Sequence, residues 1–293
     1  MMSKSNSITY DTNKFSTASE LRGWYTGTVI WVKTHQSGEV NIVVDGVLQE
    51  TATSDLNGWS RIILPSGNKY IQIVQVKVNS SSFTSAHLES VWVDNSLFTN
   101  DEETNVTNRL FCLGDSITQG SNDGEDGWSG FGMLFRRNDS LNSIIGGYTG
   151  AKLFDVASDS GKLSTTMGWM NDAFSNVTGD KKMLISLGTN DWGLDTRSAA
   201  SMRTYMDDLL DEINSEDSDV EVFVLSPLNR TGEDSLLADY RTEFSGSCSS
   251  RAWATYIEGD SLIDPATETS DGLHPNKAAH LSIYNDIKST ITA

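Results

Sequence analysis

A short apolar run that breaks abruptly into three small residues constrains this chain more than any other feature. The run Leu110–Leu113 is too short for a helix and has the length of a buried strand. Gly114-Asp115-Ser116 follows at once, where glycine permits a sharp turn and the next two residues suit a turn or a helix N-cap. We therefore predict that Ser116 lies at the carboxyl end of a strand, where open α/β sheets place their ligand sites. An isolated Gly-Asp-Ser also suits an ordinary turn, so the rest of the chain must decide.

From residue 109 onward, strand-like apolar runs alternate with helical stretches. The predicted strands are Leu110–Leu113, Leu153–Ala157, Met183–Leu187, Val220–Leu225 and Ala254–Ile257. Thr196 to Asn214 has apolar residues at helical spacing, with Asp195 or Thr196 as its cap, and a closing helix is predicted over 276–291. This alternation is typical of βαβ units, so we predict an α/β domain with a mostly parallel sheet over 109–293.

The earlier part of the chain has a different pattern. From Gly23 to about Asp94, β-branched and aromatic runs recur with no helical pattern between them. The strongest hairpin signal is Val40–Val44 followed by Asp45-Gly46, because Asp-Gly accepts the positive φ angles of a type I′ turn. We predict a small all-β sandwich or jelly roll over 21–98, after a polar lead-in over 1–20 and before a linker over 99–108.

The charge balance excludes some partners. The chain has 21 Lys and Arg against 40 Asp and Glu, a net charge of −19, which repels nucleic-acid phosphates and anionic membranes. The first ten residues are polar, without the apolar stretch of a secretory signal, and no run has the length of a membrane span. We expect no nucleic-acid or membrane partner. A cytoplasmic enzyme, a mature secreted form and a virion component all stay open.

The cysteines and histidines predict no metal site. Nothing in the spacing of Cys112 and Cys248 argues for a disulfide, and no Cys/His cluster has metal-ligand spacing.

Polar clusters follow the predicted strands or lie near the C-terminus. They are Gly114-Asp115-Ser116, Ser158-Asp159-Ser160-Gly161, Gly188-Thr189-Asn190-Asp191 and Asp271-Gly272-Leu273-His274-Pro275. His274 can take the proton of Ser116, and Asp271 can orient the imidazole and stabilise its charged form. The Asn190 side chain and the Gly161 backbone can offer N–H groups to an oxyanion. Together the clusters favour acyl transfer by a nucleophilic serine.

Three clusters resemble sequence blocks of the SGNH, or GDSL-type, serine hydrolases. Gly114–Thr118 is similar to the first block, Gly188–Asp191 to the third and Asp271–Pro275 to the fifth. Gly161 stands where the glycine of the second block is expected, although Ser158-Asp159-Ser160 replaces the asparagine often found near it. The resemblance covers roughly residues 108–293 and implies a three-layer, flavodoxin-like α/β/α fold.

The resemblance implies a role for each residue. Ser116 would be the nucleophile, His274 the base and Asp271 its orienting acid. The backbone N–H groups of Ser116 and Gly161 and the side-chain amide of Asn190 would form the oxyanion hole. No metal or cofactor is implied.

A β-domain ahead of such a hydrolase resembles the carbohydrate esterase family 2 acetylesterases. This resemblance implies hydrolysis of O-acetyl esters on a poly- or oligosaccharide. Trp128, Trp169 and Trp192 lie near predicted strand ends and are candidates to stack on sugar rings, ordinary packing being the alternative. Asp115, beside the nucleophile, is a further candidate substrate contact.

Two other functions stay open. The same triad would serve a lipase, thioesterase or lysophospholipase, which would prefer acyl chains longer than acetyl. A carbohydrate- or receptor-binding protein of the phage type, with a secondary esterase domain, is the third candidate.

Overall fold

The chain consists of two compact units, Met1–Thr104 and Asn105–Ala293. The computed structural model describes residues 7–9, 20–25, 27–34, 38–44, 47–54, 59–67, 69–78, 88–93, 98–100, 107–120, 130–138, 141, 143–147, 150–175 and 177–293. The predicted linker over 99–108 spans the division between the units, and part of it belongs to the strand Phe98–Asn100. The domain bounds given above stay predictions.

The first unit contains two antiparallel sheets. Its strands are β1 (Ser7–Thr9), β2 (Glu20–Tyr25), β3 (Val29–Thr34), β4 (Gly38–Val44), β5 (Val47–Ser54), β6 (Trp59–Ile63), β7 (Lys69–Val78), β8 (Leu88–Val93) and β9 (Phe98–Asn100). One sheet has the order β1-β8-β3-β6 and the other β5-β4-β7-β2-β9. Buried residues alternate along the strands, as with Ile30 and Val32 on β3 and Ile42 and Val44 on β4, so each sheet buries one face.

The predicted hairpin falls on β4 and β5. These strands pair antiparallel, with Val44 opposite Val47, and the Asp45-Gly46 turn lies outside the described residues. The jelly-roll topology stays a prediction.

The second unit is built on a five-stranded parallel sheet. Its strands are β10 (Arg109–Gly114), β11 (Ile144–Gly147), β12 (Lys181–Ser186), β13 (Val220–Leu225) and β14 (Ala254–Ile257), in the order β11-β10-β12-β13-β14. Every residue of 110–114 and of 182–186 is buried, so both faces of the sheet are covered. The predicted α/β fold with a mostly parallel sheet is confirmed.

Helices form the two outer layers. They are α1 (Phe131–Asn138), α2 (Leu153–Ser158), α3 (Ser160–Phe174), α4 (Ala199–Glu216), α5 (Ser235–Ser249), α6 (Pro265–Glu268) and α7 (Lys277–Ile291). Helix α4 begins three residues after the predicted start, because Ser198 caps it by accepting a hydrogen bond from the Ser201 N–H at 3.2 Å. Asp195, one of the two predicted caps, instead bonds to Lys152 at 2.9 Å.

One predicted strand is wrong. Leu153–Ala157 forms helix α2, and the strand beside β10 is Ile144–Gly147. A five-residue segment with four apolar residues does not distinguish a strand from a short helix by its periodicity. The decisive contact is distant in sequence, because the Asp191 carboxylate accepts from the N–H groups of Leu153 and Phe154 at 2.8 and 2.9 Å and so caps α2. The sequence pattern does not predict β11, because two of its four residues are glycines, which are depleted in strands.

A buried histidine lies where α1 packs against α7. His280 is fully buried, and its Nδ1 accepts a hydrogen bond from the Phe131 N–H at 3.3 Å. Among the described residues, its Nε2 has no partner. Burial lowers the pKa of His280 from its ordinary 6.5 to about 3, so the folded protein holds this imidazole neutral.

We expect this histidine to make stability depend on pH. As pH falls from about 6.5 to about 3, unfolded His280 gains a proton that the folded state refuses, so its contribution to the free energy of unfolding falls by up to roughly 1.4 kcal/mol per pH unit. A His280→Gln variant, compared with the parent by urea denaturation at each pH, should therefore lose its relative disadvantage as pH falls. Taking the difference between the two proteins cancels every other titrating group. A difference that does not change with pH would contradict the neutral buried imidazole.

Candidate active site

The carboxyl ends of three neighbouring strands lie side by side in the second unit. Gly114, the last residue of β10, pairs with Gly147 of β11 and with Ser186 of β12. The segments after these strands therefore start from one edge of the sheet, the edge where open α/β sheets bind ligands. Ser116 and Asn190 both lie in these segments.

The turn that carries Ser116 is tightly built. The Oδ1 atom of Asp115 accepts a hydrogen bond from the Ile117 N–H at 2.9 Å, which closes the turn around the serine. A Cβ atom on Gly114 would overlap the Thr118 side chain and lie 2.9 Å from the Ser186 carbonyl oxygen. Glycine is therefore required at this position, and it brings the turn close against β12. Ser116 itself is only 5% exposed.

Three predicted residues form a hydrogen-bonded chain. Ser116 Oγ lies 2.9 Å from His274 Nε2, and His274 Nδ1 lies 2.7 Å from Asp271 Oδ2. An ionised carboxylate only accepts hydrogen bonds, so Nδ1 carries the proton and Nε2 is left to accept from the serine hydroxyl. This is the tautomer that a general base for Ser116 requires.

Asp271 is held in its ionised form. Burial pushes its pKa upward, but hydrogen bonds from the His274 ring and from the backbone N–H groups of His274 and Leu273 outweigh it and lower the pKa to about 2. The two backbone bonds, at 2.8 and 3.0 Å, both go to Oδ1. One carboxylate oxygen thus fixes the loop, while the other fixes the imidazole.

Asn190 joins the segments that follow β10 and β11. Its Nδ2 donates to the Ala151 carbonyl oxygen at 3.0 Å and lies 3.4 Å from Asp115 Oδ2. Asp115 is only 2% exposed, and its two oxygens contact the Ile117 N–H and the Asn190 amide. The substrate contact predicted for Asp115 stays a prediction. Burial raises the pKa of Asp115 to about 6.

Gly161 does not follow a strand, and that part of its prediction is wrong. It lies in the first turn of α3, and its N–H donates to Oδ1 of Asp159, the N-cap residue, at 2.9 Å. The glycine that follows the strand next to β10 is Gly150, which has φ of +80°. The residue after it, Ala151, bonds to Asn190. The sequence signal for this position is the run of glycines that ends β11.

The predicted tryptophans have different surroundings. Trp192 lies in a π-helical turn, Asp191–Asp195, directly after Asn190, and its Nε1 donates to Asp234 Oδ1 at 2.8 Å. Trp169 is buried in α3 and serves packing. Trp128 lies outside the described residues.

Asp191 is a site residue that the sequence analysis did not single out. It is fully buried, and burial raises its pKa even though the N–H groups at the start of α2 bond to it. Asp191 directly follows Asn190 in the chain. Its hydrogen bonds to α2 therefore also fix the position of the Asn190 amide relative to Ala151. In the sequence, Asp191 could have been recognised as a site residue by its position directly after Gly188-Thr189-Asn190.

The family model of GDSL-like lipases and acylhydrolases matches residues 112–281, which is more than half of the chain. The chain belongs to this family. The predicted resemblance to SGNH hydrolases is thereby confirmed, and the protein is an ester-cleaving hydrolase. No curated protein matches the chain.

Solved structures share the fold of this GDSL hydrolase. A family two carbohydrate esterase from Clostridium thermocellum, in complex with cellohexaose, is 17% identical with a TM-score of 0.74 over 95% of this chain and 94% of that one. A family 2 carbohydrate esterase from Corynascus thermopiles (Myceliophthora fergusii) is 18% identical, with a TM-score of 0.70 over 99% and 96%. An acetyl xylan esterase from Butyrivibrio proteoclasticus is 12% identical, with a TM-score of 0.68 over 99% and 96%.

In the part of the hydrolase that the structure describes, no three His, Cys, Asp or Glu side chains converge as metal ligands. No helix there is long and apolar enough to cross a bilayer. Cys112 and Cys248 are both buried free thiols, and burial raises the pKa of Cys248 to about 11.

We expect Asp271→Asn to lower kcat by roughly 10³–10⁴-fold with little change in KM. An amide at this position can donate to Nδ1, which moves the ring proton to Nε2 and removes the acceptor for Ser116. The measurement is steady-state hydrolysis of p-nitrophenyl acetate, with thermal unfolding to show that the fold survives. Asp264→Asn is the matched control, because Asp264 makes a similar bond to the Ala266 N–H at 3.0 Å at the start of α6. An unchanged kcat in the Asp271 variant would argue against the imidazole–carboxylate pair.

Proposed function

We propose that this hydrolase removes O-acetyl groups from a carbohydrate through an acetyl-enzyme on Ser116. The observation that supports this most is the chain of hydrogen bonds from Ser116 through His274 to Asp271, at 2.9 and 2.7 Å. It joins a nucleophile, a base and an orienting acid in the order that acyl transfer needs.

In the proposed reaction, Ser116 Oγ attacks the acetyl carbonyl carbon as its proton passes to His274 Nε2. The tetrahedral intermediate collapses when the bond to the sugar oxygen breaks, and that oxygen takes the proton from Nε2. A water molecule then gives a proton to His274 and attacks the acetyl group on Ser116. Release of acetate and return of the proton to Oγ restore the enzyme.

The developing oxyanion needs hydrogen-bond donors near Ser116. We assign it the backbone N–H of Ser116, the amide of Asn190 and, in place of Gly161, the backbone N–H of Gly150. The N–H groups of Ser116 and Gly150 bond to no other described residue, and the longer contact of Asn190, 3.4 Å to Asp115, is the one an oxyanion would replace. Loss of one such donor costs roughly 10²–10³-fold in kcat.

Two findings support a carbohydrate ester as the substrate. Several of the solved structures similar to this chain are named as carbohydrate esterases, and one of them was determined with cellohexaose. The net charge of −19 also disfavours attachment to anionic lipid surfaces. A lipase-type activity on longer acyl chains is the second candidate, because Leu194, beside Trp192 in the π-helical turn, exposes 64% of its surface.

The proposal is tested by rates on p-nitrophenyl acetate, butyrate and octanoate. We expect the acetate ester to be preferred, and Ser116→Ala to lower kcat/KM by about 10⁴-fold or more because the nucleophile is gone. Ser249→Ala is the matched control, since the Ser249 hydroxyl bonds only to the Gly246 carbonyl in α5. A preference for octanoate would favour the lipase. Hydrolysis that does not depend on Ser116 would overturn the mechanism and favour a binding protein on a hydrolase scaffold.

A further inference from the structure

One arginine near the triad forms no ion pair with any described residue. Arg230 lies in the segment after β13, half-buried, with its guanidinium carbon 4.5 Å from the centre of the Trp192 ring. Its Nε is buried without a hydrogen-bond partner, and its guanidinium forms no ion pair with any described residue. Four other arginines are paired with a carboxylate, namely Arg197, Arg203, Arg241 and Arg251.

Arg230 lies between the two segments that build the site. The N–H of Thr231, the next residue, donates to the Gly272 carbonyl oxygen at 2.8 Å, within the loop of Asp271 and His274. On the other side, a Cβ on Gly193 would lie 3.1 Å from Arg230 Nη1, so the missing side chain makes room for the guanidinium. The charges of Asp271, Asp115 and Glu233 act on Arg230 at longer range, although Glu233 itself is paired with Arg241.

The guanidinium is held in a fixed orientation. The Trp192 ring covers one of its faces, and Asp234 fixes that ring by accepting from Nε1. Asp234 is itself fixed, because its Oδ1 also accepts from the Leu236 N–H at 3.0 Å at the start of α5. Because Nε is buried, the terminal Nη1 and Nη2 groups are the pair of donors that a guanidinium held in this way can offer to a carboxylate.

A half-buried guanidinium without a hydrogen-bonded carboxylate is costly, because it loses hydration and only more distant charges offset the loss. Burial lowers the pKa of Arg230, in keeping with this cost. In a chain of net charge −19, carboxylates are abundant, yet none of the described ones pairs with this guanidinium. A guanidinium that lacks an ion pair, beside the proposed nucleophile, points to a ligand that supplies the carboxylate.

We propose that Arg230 binds a carboxylate of the substrate, so that the preferred ester is an O-acetyl group on an acidic sugar such as a uronic acid. The inference rests on the proposed function and names its substrate class. The acetate released by the reaction is a second source of a carboxylate, and the experiment separates the two. The negative surface of the protein repels an acidic sugar at long range, which makes one local cation at the site more consequential.

The test compares two forms of one substrate. Acetate release is measured on O-acetylated oligogalacturonate and on the same oligosaccharide with its carboxyl groups methyl-esterified. We expect the parent to prefer the free acid. Arg230→Gln should lower kcat/KM on the free acid by roughly 10- to 100-fold, mainly through KM, which is the scale of a charge-assisted hydrogen-bond pair. The methyl-esterified form and p-nitrophenyl acetate should change little.

Two further variants sharpen the result. Arg230→Lys should restore only part of the preference, because an ammonium group cannot form the paired bonds of a guanidinium. Arg197→Gln is the matched control, since Arg197 also stacks on an aromatic ring, that of Phe154 at 3.7 Å, but is paired with Asp195. It should leave the preference unchanged. An equal loss on both forms of the oligosaccharide in Arg230→Gln would overturn the proposal.

Competition and binding distinguish the remaining outcomes. If acetate inhibits p-nitrophenyl acetate hydrolysis in an Arg230-dependent way and galacturonate does not, the carboxylate is the product and the acidic-sugar proposal is overturned. Calorimetric binding of oligogalacturonate to Ser116→Ala, with and without Arg230→Gln, reads the site without catalysis. Arg230-dependent binding there would support the site even if hydrolysis proved independent of Ser116, and its absence would overturn it.

Discussion

The rest of the site depends on the hydrogen bonds by which the Asp191 carboxylate caps the start of helix α2. Asp191 lies in the segment after β12, and its carboxylate accepts hydrogen bonds from the N–H groups of Leu153 and Phe154 in the segment after β11. The neighbouring Asn190 bonds to Ala151 in the same segment. Because a buried carboxylate without these bonds would be strongly destabilised, the two segments are held together in one arrangement. Together with the contact of Asn190 with Asp115, these bonds hold the segments after β10, β11 and β12 next to one another.

The site shows how three aspartates acquire different properties from their surroundings. Asp271 is partly exposed and accepts from the imidazole and two backbone N–H groups, so its pKa lies well below the ordinary range. Asp115 also accepts hydrogen bonds from backbone N–H groups, those of Ile117 and Thr118. It is buried, however, and its pKa rises to about 6. Asp191 is buried too, and its role is mechanical. Burial acts to raise the pKa of each of the three carboxyl groups. Only in Asp271 do the hydrogen bonds outweigh burial, so that the net pKa is lowered.

Much of the fold and part of the site could be predicted from the sequence. The clusters around Ser116, Asn190 and His274 come from distant parts of the chain, and parallel strands explain why they meet at one edge. The strand proposed over Leu153–Ala157 was wrong, and with it the placement of Gly161, because a cap from Asp191, far along the chain, decides that segment. Arg230 gave no signal, since its missing partner is visible only in three dimensions.

The hydrogen bond from Thr231 to Gly272 has a consequence for how such an enzyme can diversify. It ties the segment that carries Arg230 to the loop that carries the proposed base, His274. Insertions or deletions between β13 and α5 would therefore displace the imidazole as well as the substrate contact. Changes of substrate range in this lineage are expected to proceed by exchange of single side chains on a loop of constant length.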